Sequence, residues 1–299
     1  MIETNTSIPN FFLVGAPKCG TTSLSLYLRK HPDIYISKPK EPHFFSDDIN
    51  NGGVKDLSIY LDCFNDAKVG CKTIGDASTL YLFSKTAIRN ILEFNPDSRF
   101  IVMLRNPLEI AFSFHQLALK LFGEIETDFE KAWTLQGIRK KGKYIPHGCP
   151  DHKLLYYGEI AKLGFQVERL LSLVDSNCVH YILFDEFKEN TKREYEKVLR
   201  FLGVDLFYQT FYPVHNPTRS IKHPIITKMV NQIIGIKKIL GINNTFGIAN
   251  KIHRFNTADY PPKQLNKSMQ MKIITFFQDD IKLLSKLVKK DLSTWSYIK

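Results

Sequence analysis

The sequence has no CxxC pair and no Cys/His cluster with zinc spacing; its five cysteines, Cys19, Cys63, Cys71, Cys149 and Cys178, are odd in number and scattered. That excludes a zinc ribbon or a dense disulfide scaffold and points to a reducing compartment without structural metal. No segment approaches the ~18 consecutive apolar residues of a membrane span. The opening MIETNTSIPN lacks the basic-then-apolar layout of a secretory signal. The expectation is a cytoplasmic protein with no integral membrane segment. Internal repeats, low-complexity linkers and nucleic-acid motifs are also missing, and aromatics do not interleave with Lys/Arg as on an RNA-stacking surface, so nucleic acid is not expected as a partner.

What is present fits an ordinary globular chain: 299 residues, 43% hydrophobic and 24% charged, long enough to bury a core without disulfides or metals. Its charge is uneven. Residues 1–218 hold 26 Lys/Arg against 26 Asp/Glu, whereas 219–299 hold 15 against 4, which is the whole net charge of +11. A basic end of this kind is either a solvated Lys-rich helix surface or a surface for an anion or an acidic membrane.

Apolar runs suited to buried strands alternate with helical periodicity. Asn10–Gly15 reads as a strand followed by a helix over Thr21–Lys30. Phe100–Leu104 reads as a strand leading into a helix from Pro107 to about Leu121, and His180–Phe184 as a third strand. Amphipathic stretches occupy Leu154–Val174, Thr191–Leu202 and Gln264–Val288. This alternation predicts an α/β fold, a P-loop-like parallel β-sheet flanked by helices on both faces. We expect one domain over 1–299 with a basic helical C-terminal part from about 219. Ligands in such sheets bind beyond the carboxyl ends of strands, which directs attention to the loops after Gly15 and Leu104.

The first of these loops, Gly15-Ala-Pro-Lys18-Cys19-Gly20-Thr21-Thr22-Ser23, has a phosphate-binding composition. Gly20 permits a tight turn, so that N–H groups at the helix start can face an anion. Thr21, Thr22 and Ser23 add hydroxyls and Lys18 a charge; an ordinary βα turn is the plainer alternative. The glycine spacing matches Walker A, but Thr21 stands where its lysine belongs and the lysine sits at Lys18. A Walker-B-like strand end exists at Tyr181–Glu186, so a P-loop kinase or ATPase is a rival, though no magnesium cluster accompanies it. The anion is expected to bind without metal.

FLVGAPKCGTTSLSLYLRKHPDI followed by SKPKEPHFF resembles the 5′-phosphosulfate loop and catalytic segment of PAPS-dependent sulfotransferases, in the branch of the heparan sulfate and many bacterial enzymes. IVMLRNPLEIAFSFH resembles the family's 3′-phosphate motif, and the stretch from Tyr260 to Trp295 its closing helix. The resemblance implies a PAPS-sulfotransferase fold and sulfuryl transfer from PAPS to a hydroxyl or amine, releasing 3′,5′-ADP. It implies that the loop Lys18, Cys19, Gly20, Thr21, Thr22 and Ser23 grips the 5′-phosphosulfate, with Lys18 stabilising the leaving oxygen. Glu41 matches the general base, and His43 would orient Glu41 or the acceptor if the segment is extended. Lys38 and Lys40 lie near in sequence and are candidates to face the donor, and Lys40 is equally readable as a solvated neighbour.

Arg105 and Ser113 match the pair that holds the 3′-phosphate, where a guanidinium fork suits the dianion. Arg219, in a loop resembling one that closes over the nucleotide, is a second contact of that kind. The family often carries another arginine where this chain has Ile110. The acceptor, a small molecule or glycan made in the cytosol, would meet segments around Phe44–Cys63 and Phe122–Tyr157; the latter contains the basic run Arg139–Lys143, read as a solvated loop or an attractor for an anionic glycan. Met229–Leu240 is left as a core helix, a homodimer contact or a membrane-resting helix. A non-catalytic basic scaffold of the same fold is the remaining alternative, disfavoured by Lys18, Glu41 and Arg105 occurring together.

Overall fold

The computed structural model describes residues 8–68, 71, 73–213, 220–221, 226, 229–230, 257–258 and 265–297. The chain forms two compact units. The first comprises Met1–Arg105, Leu163–His215 and Lys286–Lys290, and the second Asn106–Lys162, Asn216–Ser285 and Asp291–Lys299.

Among the described residues of the first unit, strands β1 (Phe11–Gly15), β2 (Ile34–Ile36), β3 (Thr73–Asp76), β4 (Arg99–Leu104) and β5 (Val179–Leu183) form one sheet in the order β2-β3-β1-β4-β5. Every pairing is parallel. Parallel neighbours need crossovers, supplied by α1 (Thr21–Leu28) between β1 and β2, α2 (Leu57–Asp62) between β2 and β3, and α3 (Ala87–Phe94) between β3 and β4. The chain leaves this unit after Arg105 and returns at Leu163, where α7 (Leu163–Leu171) precedes β5 and α8 (Phe184–Glu189) and α9 (Thr191–Leu202) follow it.

β1 and β4 are the middle of the sheet, and their side chains from Phe11 to Val14 and Phe100 to Leu104 are fully buried. A strand covered on both faces must be apolar throughout, which is why these two were the most legible runs. The edge strands β2 and β5 mix buried and half-buried positions. Connections run to opposite sides of β1, so the sheet has its switch point there, and the crevice beyond the carboxyl ends of β1 and β4 is where such folds take ligands.

In the second unit, α4 (Pro107–Leu121) starts where the sequence puts it. The Asn106 side chain accepts the Leu108 N–H at 3.0 Å, Pro107 occupies the first turn, and Glu109 and Lys120 complement the helix dipole. α5 (Phe129–Arg139), α6 (Tyr157–Ala161) and most of α10 (Lys267–Val288) complete its described helices, with a short antiparallel pair, β6 (Ser220–Ile221) and β7 (Thr257–Ala258). α10 buries Met269, Ile273, Phe277, Ile281 and Leu284 along one stripe, and Trp133 meets Phe276 and Phe277 edge-on.

Two expected elements differ. β5 ends at Leu183, and Phe184 begins a helix instead of closing the strand. The amphipathic stretch Leu154–Val174 is not continuous: it contains the end of a 3-10 turn (His152–Leu155), then α6, then α7, with Lys162 non-helical between the two helices. Hydrophobic periodicity carries across a one-residue break because it records which face is buried, not which hydrogen bonds close. Arg219 and most of Met229–Leu240 lie outside the described residues. No helix among the described residues is long and apolar enough to cross a membrane.

Candidate functional site

The loop after β1 is built around Gly20. It caps α1 in the left-handed region at φ 88°, a conformation that favours glycine, and a Cβ there would crowd the Phe184 ring at 3.1 Å. No side chain caps the first turn of α1 and no acid lies in it. Thr21, Thr22 and Ser23 form that turn, which leaves the positive end of the helix suited to an anion. The loop is pinned to the sheet by the Ala16 N–H, which donates to the Met103 carbonyl at 2.8 Å. Cys19 is fully buried, and its thiol faces the Pro17 carbonyl at 3.6 Å.

Arg105, at the end of β4, joins this loop. Its guanidinium donates to the Lys18 carbonyl at 2.9 Å and lies 4.5 Å over the Phe184 ring. Phe184 therefore backs both Gly20 and Arg105. Ser113 is buried within α4 in the second unit, and Ile110, where the family often has an arginine, is completely buried there as a core residue.

The Glu41 segment forms a compact charged group. Lys40 Nζ donates to Glu41 Oε1, His43 Nε2 lies 3.3 Å from Glu41 Oε2, and Thr79 Oγ1 reaches the same oxygen at 3.4 Å. Lys40 is thus an ion-pair partner with a mostly buried side chain (16% exposed), not a solvated neighbour. Lys38 instead pairs with exposed Asp66. The segment is not extended, as the alignment of Glu41 with His43 had required: both residues have left-handed φ, 64° and 52°. They still meet, because two consecutive bends around Pro42 fold the imidazole back onto the carboxylate.

Among the described residues five non-glycines have φ in this region, and Lys18, Glu41 and His43 are three of them. Each such conformation costs on the order of 1–3 kcal/mol, and strain of this kind concentrates at functional sites. Thr79 links the two groups: its hydroxyl faces Glu41, and its carbonyl lies 3.0 Å from where a Cβ on Gly15 would stand. Thr79 and Phe184 were missed in the sequence because β3 and the start of α8 were not recognised; both follow strand ends, the positions where ligands gather in this architecture.

Burial of Glu41 would raise its pKa, but the hydrogen bond from His43 and the charges of Lys40 and His43 outweigh it and hold the carboxyl down to about 2. Removing the ammonium should move it back up. In Lys40→Met the Glu41 titration, followed by carboxyl carbon NMR, is expected to rise toward the ordinary 4.5; an unmoved midpoint would show that Lys40 does not hold the carboxylate.

Asp185 and Glu186 do not end a strand. They lie in the first turn of α8, where Glu186 pairs with Lys290 at 2.6 Å and Asp185 faces Lys188, so the Walker-B-like placement is not realised. Among the described residues no three His, Cys, Asp or Glu side chains group as metal ligands. The basic run Arg139–Lys143 is not uniformly solvated: Arg139 is buried against Glu124, and Lys140 pairs with Glu159 at 2.8 Å. In the other candidate acceptor segment Phe44, half-buried, stacks on Tyr60 at 4.6 Å between centroids, and Phe45 packs on both; Phe45 and Tyr60 belong to the core.

Comparison with known proteins gives a consistent set of matches. A family model described as "Sulfotransferase domain" matches residues 9–232. Human carbohydrate sulfotransferase 15 is 29% identical over 148 residues, 36% of this chain and 26% of that protein. Human heparan sulfate glucosamine 3-O-sulfotransferase 6 is 31% identical over 179 residues, 55% of this chain and 48% of that protein. The chain thus spans about a quarter to a half of the length of these curated relatives. A sulfotransferase from Alicyclobacillus acidocaldarius superposes with a TM-score of 0.71 at 26% identity, covering 97% of this chain and 100% of the other.

Proposed function

The chain belongs to the sulfotransferase domain family, and from that premise we propose that it moves the sulfuryl group of PAPS to a hydroxyl or amine of a small molecule or glycan and releases 3′,5′-ADP. The observation that carries this reading is the tie between Arg105 and the Lys18 carbonyl, which brings two cationic residues to a helix start with no acid in its first turn.

In this reading Thr21, Thr22, Ser23 and the backbone of Cys19 and Gly20 hold the 5′-phosphosulfate. Arg105 holds the 3′-phosphate, with Ser113 and Arg219 carried as further contacts by motif likeness alone. The acceptor oxygen or nitrogen attacks sulfur, the bond from sulfur to the phosphate's bridging oxygen breaks, and the acceptor's proton passes to Glu41. Lys18 neutralises the charge left on the bridging oxygen. Glu41 at about pKa 2 is fully ionised but weakly basic. Lys40 therefore exchanges Glu41 for the donor's sulfuryl oxygens as the donor binds, which restores basicity where it is needed. His43 holds the carboxylate in place during that exchange.

Calorimetry with PAPS and 3′,5′-ADP, with ATP plus magnesium as control, tests the reading. Tight binding of both 3′-phosphorylated nucleotides without added metal supports it; ATP binding in their place returns the kinase alternative. Arg105→Ala is expected to weaken PAPS and 3′,5′-ADP alike, by about 10- to 100-fold for loss of charge-assisted hydrogen bonds. Unchanged affinity for both would remove Arg105 from the site.

A further inference from the structure

Beneath Glu41 and His43 lies a carboxylate that the sulfotransfer mechanism does not use. Asp76 closes β3 and is fully buried. Its Oδ1 accepts the Ser78 hydroxyl at 2.6 Å, and its Oδ2 accepts the hydroxyls of Tyr81 at 2.8 Å and Tyr60 at 3.0 Å. Burial pushes its pKa up, against the hydrogen bonds of Ser78, Tyr81 and Tyr60 and the charge of His43. A buried carboxylate held only by hydroxyls is costly to retain for packing alone.

Two of the three hydroxyls have a second partner. Ser78 Oγ accepts the backbone N–H of His43 at 3.0 Å, and the Tyr81 oxygen accepts that of Phe45 at 3.4 Å. A hydroxyl has one proton. Because an Asp76 oxygen takes it, each hydroxyl oxygen is left with lone pairs for the backbone, so its bond to Asp76 fixes the polarity of both links. The Tyr81 ring also stands edge-on to the His43 imidazole, 6.0 Å between centroids at 89°. On the other side Gly53 closes the gap: a Cβ there would come within 2.7 Å of the His43 Cβ. The strained His43 backbone is therefore gripped from both sides.

We propose that Asp76 is a positioning residue: through Ser78 and Tyr81 its carboxylate locks the backbone of His43 and Phe45, and with it the contact of His43 on Glu41. The proposal rests on the sulfotransferase reading for its effect on turnover. Tyr60 supplies an internal control, because its hydroxyl bonds Asp76 and has no bond to the segment from Glu41 to Phe45.

The test compares the full chain with Ser78→Ala, Asp76→Asn and Tyr60→Phe. An amide at 76 keeps the shape but presents a donor on one side, which reverses one hydroxyl. Three readouts are taken: 3′,5′-ADP affinity, PAPS turnover at saturation with water as acceptor, and the His43 ring Cε1–Hε1 NMR signal, assigned by its loss in His43→Gln. Ser78→Ala and Asp76→Asn are expected to lower turnover on the order of 10- to 100-fold, as small misplacements of a catalytic group do. They should shift or split the His43 signal and leave 3′,5′-ADP affinity within about twofold, the signature of lost positioning. Tyr60→Phe should keep both turnover and signal. If Ser78→Ala keeps full turnover and an unmoved His43 signal, or if Tyr60→Phe does equal damage, Asp76 is only a core residue. Should Asp76→Asn not fold, Ser78→Ala decides alone. If the unaltered protein binds no 3′,5′-ADP, the sulfotransferase reading falls, and the His43 signal in Ser78→Ala still decides the positioning.

Discussion

Glu41→Gln is expected to lower sulfuryl transfer from PAPS by on the order of 10²- to 10⁴-fold, the usual worth of a positioned general base, with 3′,5′-ADP affinity little changed. The amide has the shape of the carboxylate and can still accept from His43 and Thr79, so the segment is not dismantled. What it loses is the ability to take a proton and the charge facing Lys40. Freed of that partner, Lys40 remains available to the donor, so nucleotide binding should hold or tighten. Glu41 also carries a pH signature. Its folded pKa of about 2 lies below the ordinary 4.5, so its stabilising contribution is complete above 4.5 and is lost as pH falls through about 2; Glu41→Gln removes that acid-side slope. Single-turnover PAPS consumption and 3′,5′-ADP calorimetry on the same preparation separate the two effects. Full turnover in Glu41→Gln would move the base elsewhere, and His43 would be the next residue to test.

The parts of this chain that could be read from its sequence are those where one physical demand dominates. β1 and β4 are apolar throughout because both faces are covered, and α4 carries its own start signals in Asn106, Pro107 and Glu109. α9 runs over Thr191–Leu202 as expected because its apolar stripe is clean. β3 was not legible: Thr73-Ile-Gly-Asp76 is short, contains a glycine and ends in an acid, a poor strand by composition, and its pairing with β1 and β2 is what makes it one. That omission hid the whole segment from Asp76 to Tyr81, which supports Glu41 and His43.

The site shows the same division. Lys18, Gly20 and Arg105 could be singled out because a lysine-bearing glycine turn after a strand and a strand-end arginine have local signatures, and the structure joins Arg105 to the Lys18 carbonyl. The contact of His43 with Glu41 was expected for a geometric reason that does not hold, since two left-handed residues replace the extended segment. Left-handed φ at a glutamate and a histidine has no sequence signal: it is imposed by the surrounding structure, which is why strain at these positions is informative once the coordinates are in hand. Arg139 was read with its lysine neighbours as part of a solvated loop or an attractor for an anionic glycan. Its partner Glu124 is fifteen residues away, and nothing in a run of basic residues marks which one turns inward.

Arg139→Met is expected to destabilise the protein by about 3–5 kcal/mol, the cost of leaving one member of a buried ion pair alone. Glu124 has no exposure and Arg139 has 1%. The guanidinium grips the carboxylate with two bonds, 2.5 and 2.8 Å, while the Tyr157 hydroxyl and the N–H groups of Ile125 and Glu126 complete the shell. Burial would raise the Glu124 pKa, but the hydrogen bond and charge of Arg139 outweigh it and the carboxyl is held low. The pair therefore stabilises fully above the ordinary carboxylate range and loses its contribution only as pH falls through the depressed value. Without Arg139 the sign reverses: burial then dominates, the Glu124 pKa rises above its unfolded value, and protonation on acidification relieves the uncompensated charge. The gap between Arg139→Met and the parent, measured by denaturant unfolding, should accordingly narrow from pH 7 to pH 5. A second substitution, Glu124→Gln in the Arg139→Met background, should recover part of the loss at pH 7 by removing the stranded charge. A gap that is constant with pH and not reduced by Glu124→Gln would mean that Arg139 contributes through the packing of its aliphatic stem and not through the ion pair.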